Sequence, residues 1–195
     1  MSLEFKTVEE RYSIFRLKYE PMMGCNGCGA ALLRMGFFEA PASTKYHGAY
    51  SGGLFDHSVN VMRNLVDLTE KLGLRWRSPY SPVRIGMLHD LCKADQYIRV
   101  VSETDGDSHY EFNKYTLLKG HGDKSVLLAS QFMVLTEEEV LCIRYHMGSF
   151  CEKEEWSLYT DAIHAYPNVL YTHMADMMAA HMDEVDRVTD QHVTL

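Results

Sequence analysis

Six residues of this chain have side chains that bind metal ions and lie on inward faces of separate segments. They are four of the ten histidines and two aspartates: His57, His89, Asp90, His121, His146 and Asp176. Imidazole and carboxylate groups are the ligands that ions such as iron, manganese and zinc prefer when catalysis needs open positions. A carboxylate such as Asp90 can also bridge two ions. The set therefore predicts a site for one or two divalent ions.

Each of these residues also has an ordinary structural interpretation. A single inward histidine such as His57 is more often a hydrogen-bonded core residue than a ligand. An aspartate is harder to explain in this way, because a buried carboxylate without a partner is strongly destabilising. Metal coordination of Asp90 and Asp176 would remove that cost, so the six residues together favour a metal site.

Helices must bring these residues together, because the hydrophobic pattern is helical over most of the chain. Apolar residues recur three or four apart at the start of the chain, before Pro21, and in predicted helices at 30–39, 54–72, 122–134, 137–146 and 167–184. Pro82 suits the first turn of a further helix, on which His89 faces inward, and Thr136 is a suitable N-cap. The pattern predicts an all-α fold.

Two segments depart from the helical pattern. Residues 40–53 are rich in glycine, proline and serine, which predicts an ordered loop leading to His57. Between residues 97 and 118, Ile98 and Val100 precede a turn sequence, and Tyr110 and Phe112 follow it. This alternation predicts a small β-hairpin inserted among the helices.

Length and charge limit the class of protein. The 195 residues predict one domain, with a helical extension at 1–39 packed on a core at 40–184. A net charge of −8 argues against binding of long nucleic acid through a basic surface. No apolar run approaches the roughly 18 residues that span a membrane, and the start lacks a secretory apolar core, so we expect a cytoplasmic protein of undefined oligomeric state.

The five cysteines predict free thiols. Cys25 and Cys28 have the C-x-x-C spacing of zinc and redox sites, but a closed zinc site needs four ligands and no second such pair exists. The alternative is a glycine-rich turn before a helix.

The segments around the six residues resemble, in order, the signature segments of HD-domain proteins of bacteria and phages, including the C-terminal domain of certain 3′-to-5′ exoribonucleases. The resemblance covers about residues 40–184. The matching segments are the 40–53 loop with His57, Leu88-His89-Asp90-Leu-Cys-Lys93, Gly120-His121-Gly-Asp-Lys-Ser125, Arg144-Tyr-His146-Met-Gly148 and His173-Met-Ala-Asp176.

The resemblance implies an all-α HD-domain helical bundle that carries the hairpin as an insertion. It implies that one ion takes His57, His89, Asp90 and Asp176, with Asp90 bridging, and that a second ion takes His121 and His146. The ions would be manganese, iron, nickel, zinc or magnesium.

The resemblance also implies a metal-dependent phosphohydrolase, a phosphomonoesterase or phosphodiesterase, acting on a nucleotide or short oligonucleotide. We expect Asp90, Lys93 and His173 to be catalytic. Lys93 is predicted to lie nearly above His89 on one helix and to reach a phosphate oxygen. His173 is predicted to orient a ligand or to donate a proton to the leaving oxygen.

Three further residues are candidates for substrate binding. Lys124 near a helix start could contact phosphate, and His47 and Gly53 belong to the loop before His57, where a substrate could approach the backbone. Two other functions stay open: a nucleotide-binding module without catalysis, and a di-iron oxygenase of the same fold.

Overall fold

The computed structural model describes residues 7–46, 48–101 and 107–183. Within these ranges the chain forms eight α-helices and one two-stranded antiparallel sheet: α1 (Val8–Ile14), α2 (Cys28–Arg34), α3 (Gly53–Leu72), α4 (Ser81–Leu88), β1 (Tyr97–Val101), β2 (Ser108–Phe112), α5 (Gly122–Ala129), α6 (Glu137–Arg144), α7 (Trp156–Ala165) and α8 (Asn168–Met178). Shorter helical turns extend several of these elements. The prediction of a mostly helical fold with a small hairpin is confirmed.

The helix bounds differ from the predicted ones mainly at the C-terminal ends. The helix predicted at 54–72 is confirmed as α3, which begins one residue earlier. The helix predicted at 30–39 already ends at Arg34, because Gly36 has a left-handed φ of 84°. The helices predicted at 122–134 and 137–146 end at Ala129 and Arg144. The helix predicted at 167–184 is α8, which continues as a π-helical turn from Ala179 to Asp183, the last described residue. The helix α7 was not predicted.

The hairpin predicted between residues 97 and 118 is confirmed, although its strands cover only part of that range. Tyr97 pairs with Phe112 and Val101 with Ser108 in the antiparallel register. Most of the turn lies outside the described residues, and residues 113–121 form no regular element. Since side chains alternate across a strand, each face of the hairpin carries alternate residues.

An aromatic cluster joins the N-terminal segment to α3. Phe15 lies 5.5 Å from Phe38 between ring centroids, Phe38 lies 5.4 Å from Phe55, and Tyr19 lies 6.3 Å from Phe55. Offset and edge-on arrangements of this kind are favourable for aromatic rings. The first helical segment therefore contributes to the same hydrophobic core as the helix that carries His57.

Two glycines allow helices to approach closely near the predicted site. A Cβ atom at Gly86 would lie 2.3 Å from the Cα atom of Met62, so α4 packs directly on α3. A Cβ atom at Gly122 would lie 2.2 Å from the carbonyl oxygen of Arg144, so the start of α5 lies against the end of α6. The first contact places α4 against the helix that carries His57, and the second places His121 near the end of the helix that precedes His146.

The predicted N-cap of α6 is present. The Thr136 side chain accepts from the Glu139 amide, and the Glu139 carboxylate accepts from the Thr136 amide, which satisfies two exposed donors at the helix start. No helix in the described ranges is both long and apolar enough to cross a membrane.

Candidate metal centre

The structure brings the six predicted ligands together. Their ligand atoms form three overlapping groups, and the atoms of each group lie within 4.8 Å of one another: His57, His89 and Asp90; His89, His146 and Asp176; and Asp90, His121 and His146. Five elements contribute. His57 and Asp176 lie within α3 and α8, and the other four lie at the ends of α4, α5 and α6 or just beyond them.

The inner half of the cluster is almost completely buried. The Nε2 atom of His57 lies 3.1 Å from Asp176 Oδ1 and 3.3 Å from Nε2 of His89. The carboxylate of Asp90 lies 3.6 Å from His57 and 3.5 Å from His89. Two carboxylates and two imidazoles thus face one another with no apolar group between them.

The outer half shares Asp90 with the inner half. Asp90 Oδ1 lies 2.8 Å from His121 Nε2 and 3.4 Å from His146 Nε2. These three atoms are buried, yet none of them makes a well-aligned hydrogen bond, even though Asp90 Oδ1 and His121 Nε2 are in close contact. Buried polar atoms almost always have a partner, because an unsatisfied one is costly. A bound cation would satisfy all three.

The histidine rings are held with Nε2 facing the cluster. His89 donates from Nδ1 to the Gly86 carbonyl at 2.9 Å, and His146 donates from Nδ1 to the Ile143 carbonyl at 2.6 Å. These bonds fix the tautomer that carries its lone pair on Nε2, as metal-ligating histidines require. The donor set and its orientation therefore fit a divalent ion.

The charges of the cluster also suit a cation. Burial lowers the pKa of His89, although Asp90 partly opposes this, so the ring stays neutral. For Asp90, burial raises the pKa, but the Lys93 ammonium, together with the surrounding imidazoles, outweighs burial and holds the pKa well below its usual range. For Asp176, burial is likewise outweighed, chiefly by the hydrogen bond from His57, and the pKa is lowered. Neutral imidazoles and ionised carboxylates are the protonation states that bind metal.

Lys93 reaches the cluster by a different route from the predicted one. We expected Lys93 and His89 on one helix, but α4 ends at Leu88 and Lys93 lies in the following 3₁₀ turn. Its ammonium lies 2.6 Å from Asp90 Oδ2. Lys93 thus neutralises part of the charge of the shared carboxylate.

The other predicted substrate-binding residues have structural partners or lie outside the described residues. Lys124 is buried and donates to Asp95 and, at 3.0 Å, to Thr116. A Cβ atom at Gly53 would lie 2.0 Å from the Gly48 carbonyl oxygen, so packing of the loop requires this glycine. His47 lies outside the described residues.

His173 supports the backbone that carries His146. It donates from Nδ1 to the His146 carbonyl oxygen at 2.7 Å, and its ring lies directly over Gly148, where an added Cβ atom would be 2.8 Å away. Of the two roles predicted for His173, orientation of a ligand is the one these contacts favour.

The cysteine pair is separate from the ligand groups. The Cys28 thiol lies 3.6 Å from the Cys25 carbonyl oxygen, and burial raises its pKa. All five cysteines are free thiols, and no group of potential ligands within the described residues includes Cys25 or Cys28.

Two contacts were not predicted from the sequence. The first is a buried ion pair in which Arg11 donates to both oxygens of Asp56, at 3.2 and 3.1 Å. Asp56 directly precedes His57, so this pair ties α1 to the start of α3. Its signal was the position of Arg11, four residues before the inward-facing Phe15. The second is the Cys92 thiol, 3.4 Å from His121 Nδ1.

The chain is similar to one characterised enzyme over part of its length. It is 35% identical over 78 residues to the dihydroneopterin 2′,3′-cyclic phosphate phosphodiesterase of Methanocaldococcus jannaschii, a match that covers 37% of this chain and 30% of that protein. No family model matches, and no solved structure matches significantly. The chain thus combines distant similarity to a phosphodiesterase with a buried histidine and aspartate cluster that could hold metal ions.

Proposed function

We propose that this chain is a metal-dependent phosphohydrolase of the HD superfamily that cleaves a phosphomonoester or phosphodiester of a nucleotide or short oligonucleotide. The observation that carries the proposal is the convergence of three buried ligand atoms that make no well-aligned hydrogen bond: Asp90 Oδ1, His121 Nε2 and His146 Nε2. They converge beside a second group of ligands, so the site has enough ligand atoms to bind one or two ions.

Divalent ions supply positive charge that polarises phosphate oxygens and makes a nearby water molecule more acidic. The protein supplies the rest. Asp90 contributes one oxygen to each half of the cluster, which fixes the two halves relative to each other. The Lys93 ammonium beside Asp90 provides a point charge for a non-bridging phosphate oxygen. The hydrogen bond from His173 holds the segment that carries His146.

The partial similarity to a cyclic phosphate phosphodiesterase supports phosphoester chemistry and suggests which substrates to test first. Purified protein is stripped with a chelator and reloaded with manganese, iron, nickel, zinc or magnesium. It is then assayed with 2′,3′-cyclic nucleotides, 5′-mononucleotides and short oligonucleotides. We expect phosphoester cleavage that requires added metal, with elemental analysis giving one or two ions per chain.

Matched variants separate the site from the rest of the chain. His89→Ala and Asp90→Asn are expected to reduce turnover by at least about a thousandfold, because each removes a ligand of a metal-assisted reaction. The controls His164→Ala and Asp161→Asn change exposed residues of α7 and should leave turnover unchanged.

Three outcomes would contradict the proposal. Activity that survives both chelation and Asp90→Asn would show that the cluster is not the catalytic site. Tight nucleotide binding without cleavage under any metal would favour a binding module. Bound iron with oxygen consumption and no phosphate release would favour the oxygenase.

A further inference from the structure

A cleft lies between the hairpin and the loop that precedes α3, and none of its lining residues belongs to the ligand set. Residues of the segments 36–41 and 49–51 form one side, the hairpin forms the other, and Ala94 also lines the cleft; the volume is about 510 Å³. Pockets for small ligands usually measure about 300–1,000 Å³. The cleft is therefore large enough for a nucleoside or a ring system of similar size.

The hairpin presents planar side chains to this cleft. Tyr97, Arg99 and Tyr110 line it, and Arg99 pairs with Tyr110 across the two strands, so these side chains share one face. Arg99 is held by a hydrogen bond from Nη2 to Ser108 Oγ at 2.8 Å. Tyrosine rings and guanidinium groups both stack on planar heterocycles. This wall therefore suits a flat, aromatic ligand.

The opposite wall provides a hydrogen-bond acceptor. Glu39 lines the cleft, and its carboxylate makes no hydrogen bond or ion pair within the part of the chain that the structure describes. A carboxylate has two oxygens that accept side by side. The 2-amino-4-oxo edge shared by guanine and pterin rings presents two adjacent N–H donors, whereas adenine does not.

Two parts of the cleft lining adjoin residues next to the ligand cluster. Ala94 and Tyr97 line the cleft, and Ala94 directly follows Lys93, whose ammonium contacts Asp90. Tyr50 also lines it and donates to Asp56 Oδ2 at 3.1 Å, next to His57 in sequence. A ligand in the cleft would thus contact residues that adjoin two of the three segments carrying inner ligands of the cluster.

We infer that this cleft binds the heterocyclic ring of the substrate, a ring with a 2-amino-4-oxo edge, stacked on Tyr97 and Tyr110 and hydrogen-bonded to Glu39. The inference rests on the proposed function, because it assigns the ring of the same substrate whose phosphate the cluster would receive. Glu39 and Tyr110 then determine specificity, while the cluster carries the chemistry.

The test measures ligand binding to metal-free protein in chelator, so that it does not depend on hydrolysis. We expect GMP to bind at least about tenfold more tightly than AMP by calorimetry or NMR titration. Tyr110→Ala should weaken GMP binding about tenfold, in keeping with loss of base stacking. Glu39→Gln should remove the preference for GMP over AMP. The control His109→Ala changes the opposite face of the hairpin, where His109 pairs with Val100, and should have no effect.

A second arm identifies the source of the ring. Dihydroneopterin monophosphate is titrated under the same conditions and compared with GMP. The compound that binds more tightly, and that loses more affinity in Glu39→Gln, better represents the substrate. Failure of both compounds to bind at millimolar concentration would overturn the inference. So would binding that neither Tyr110→Ala nor Glu39→Gln changes.

The two proposals can fail separately. If the ligand binds in the cleft as expected but no metal produces phosphoester cleavage, the proposed function is wrong and the ring site stands. If metal-dependent cleavage occurs and the cleft variants change neither binding nor the choice between guanine and adenine nucleotides, the ring site is wrong and the proposed function stands.

Discussion

Addition of a divalent ion to the metal-free protein should raise its free energy of unfolding, and Asp90→Asn should remove most of that gain. A ligand that binds only the folded state, at 100 times its Kd, stabilises by about 2.7 kcal/mol. For a chain of this size that corresponds to an increase in Tm of about 5–11 °C. If Asp90→Asn weakens binding a hundredfold, the same ion concentration stabilises by only about 0.4 kcal/mol.

The structure also predicts how the ligands differ. Asp90 belongs to two of the three ligand groups, whereas His121 belongs only to the group that also contains Asp90 and His146. Asp90→Asn should therefore abolish both steps of a two-ion titration, while His121→Ala should remove only one and keep part of the thermal shift.

Thermal unfolding followed by calorimetry, with and without manganese, measures these shifts. Asp161→Asn, on the exposed face of α7, is the matched control and should retain the full shift. A full metal-dependent shift in Asp90→Asn would refute the reasoning, because the shared carboxylate would then not be a ligand.

Three other perturbations test separate parts of the molecule. Lys93→Met removes a positive charge 2.6 Å from Asp90, so it should raise the affinity for metal at least about tenfold while lowering turnover. Competition with a chelator measures the affinity, and an unchanged affinity would contradict this prediction. Burial raises the pKa of Cys142 above its ordinary 9.0, so only the unfolded thiol ionises above about pH 9 and the free energy of unfolding should fall there. In denaturation measured from pH 8 to 10.5, the free energy of unfolding of Cys142→Ala should fall less than that of the unchanged protein. An equal fall would exclude the thiol as the cause. Arg11→Leu should cost about 3–5 kcal/mol in urea denaturation because it removes the buried partner of Asp56, and a cost below about 1 kcal/mol would show that the pair is not needed.

The sequence predicted the helical fold and the inward orientation of several ligand candidates because both depend on local pattern. A stripe of apolar residues places His57 on the inward face of α3, and the same reasoning places Asp176 on α8. The order of the signature segments then indicated that residues more than a hundred positions apart belong to one site. Proximity of this kind comes from the resemblance, since no pattern within one helix indicates which other helix it contacts.

Other features depend on contacts that a local pattern does not contain. Lys124 could not be distinguished from a phosphate ligand because its partner Asp95 lies 29 residues earlier in the chain. The end of α4 was missed because Asp90 leaves helical geometry, with ψ at 18°, although nothing in the sequence there breaks a helix. The helix α7 was missed because most of its residues are exposed and its apolar stripe is short.

The two halves of the cluster differ in their access to solvent, and this difference bears on how the site would work. The His57 and His89 side chains are at most 1% exposed, whereas the His121 side chain is 30% exposed. An ion in the inner half would have to lose nearly all its water, and the buried carboxylates compensate for that loss. In the outer half only the His121 ring is partly exposed, since its Nε2 atom and the His146 side chain are buried, so we expect an ion to enter the cluster beside the His121 ring. Asp90 connects both halves, which makes it the residue through which inner and outer ligation affect each other.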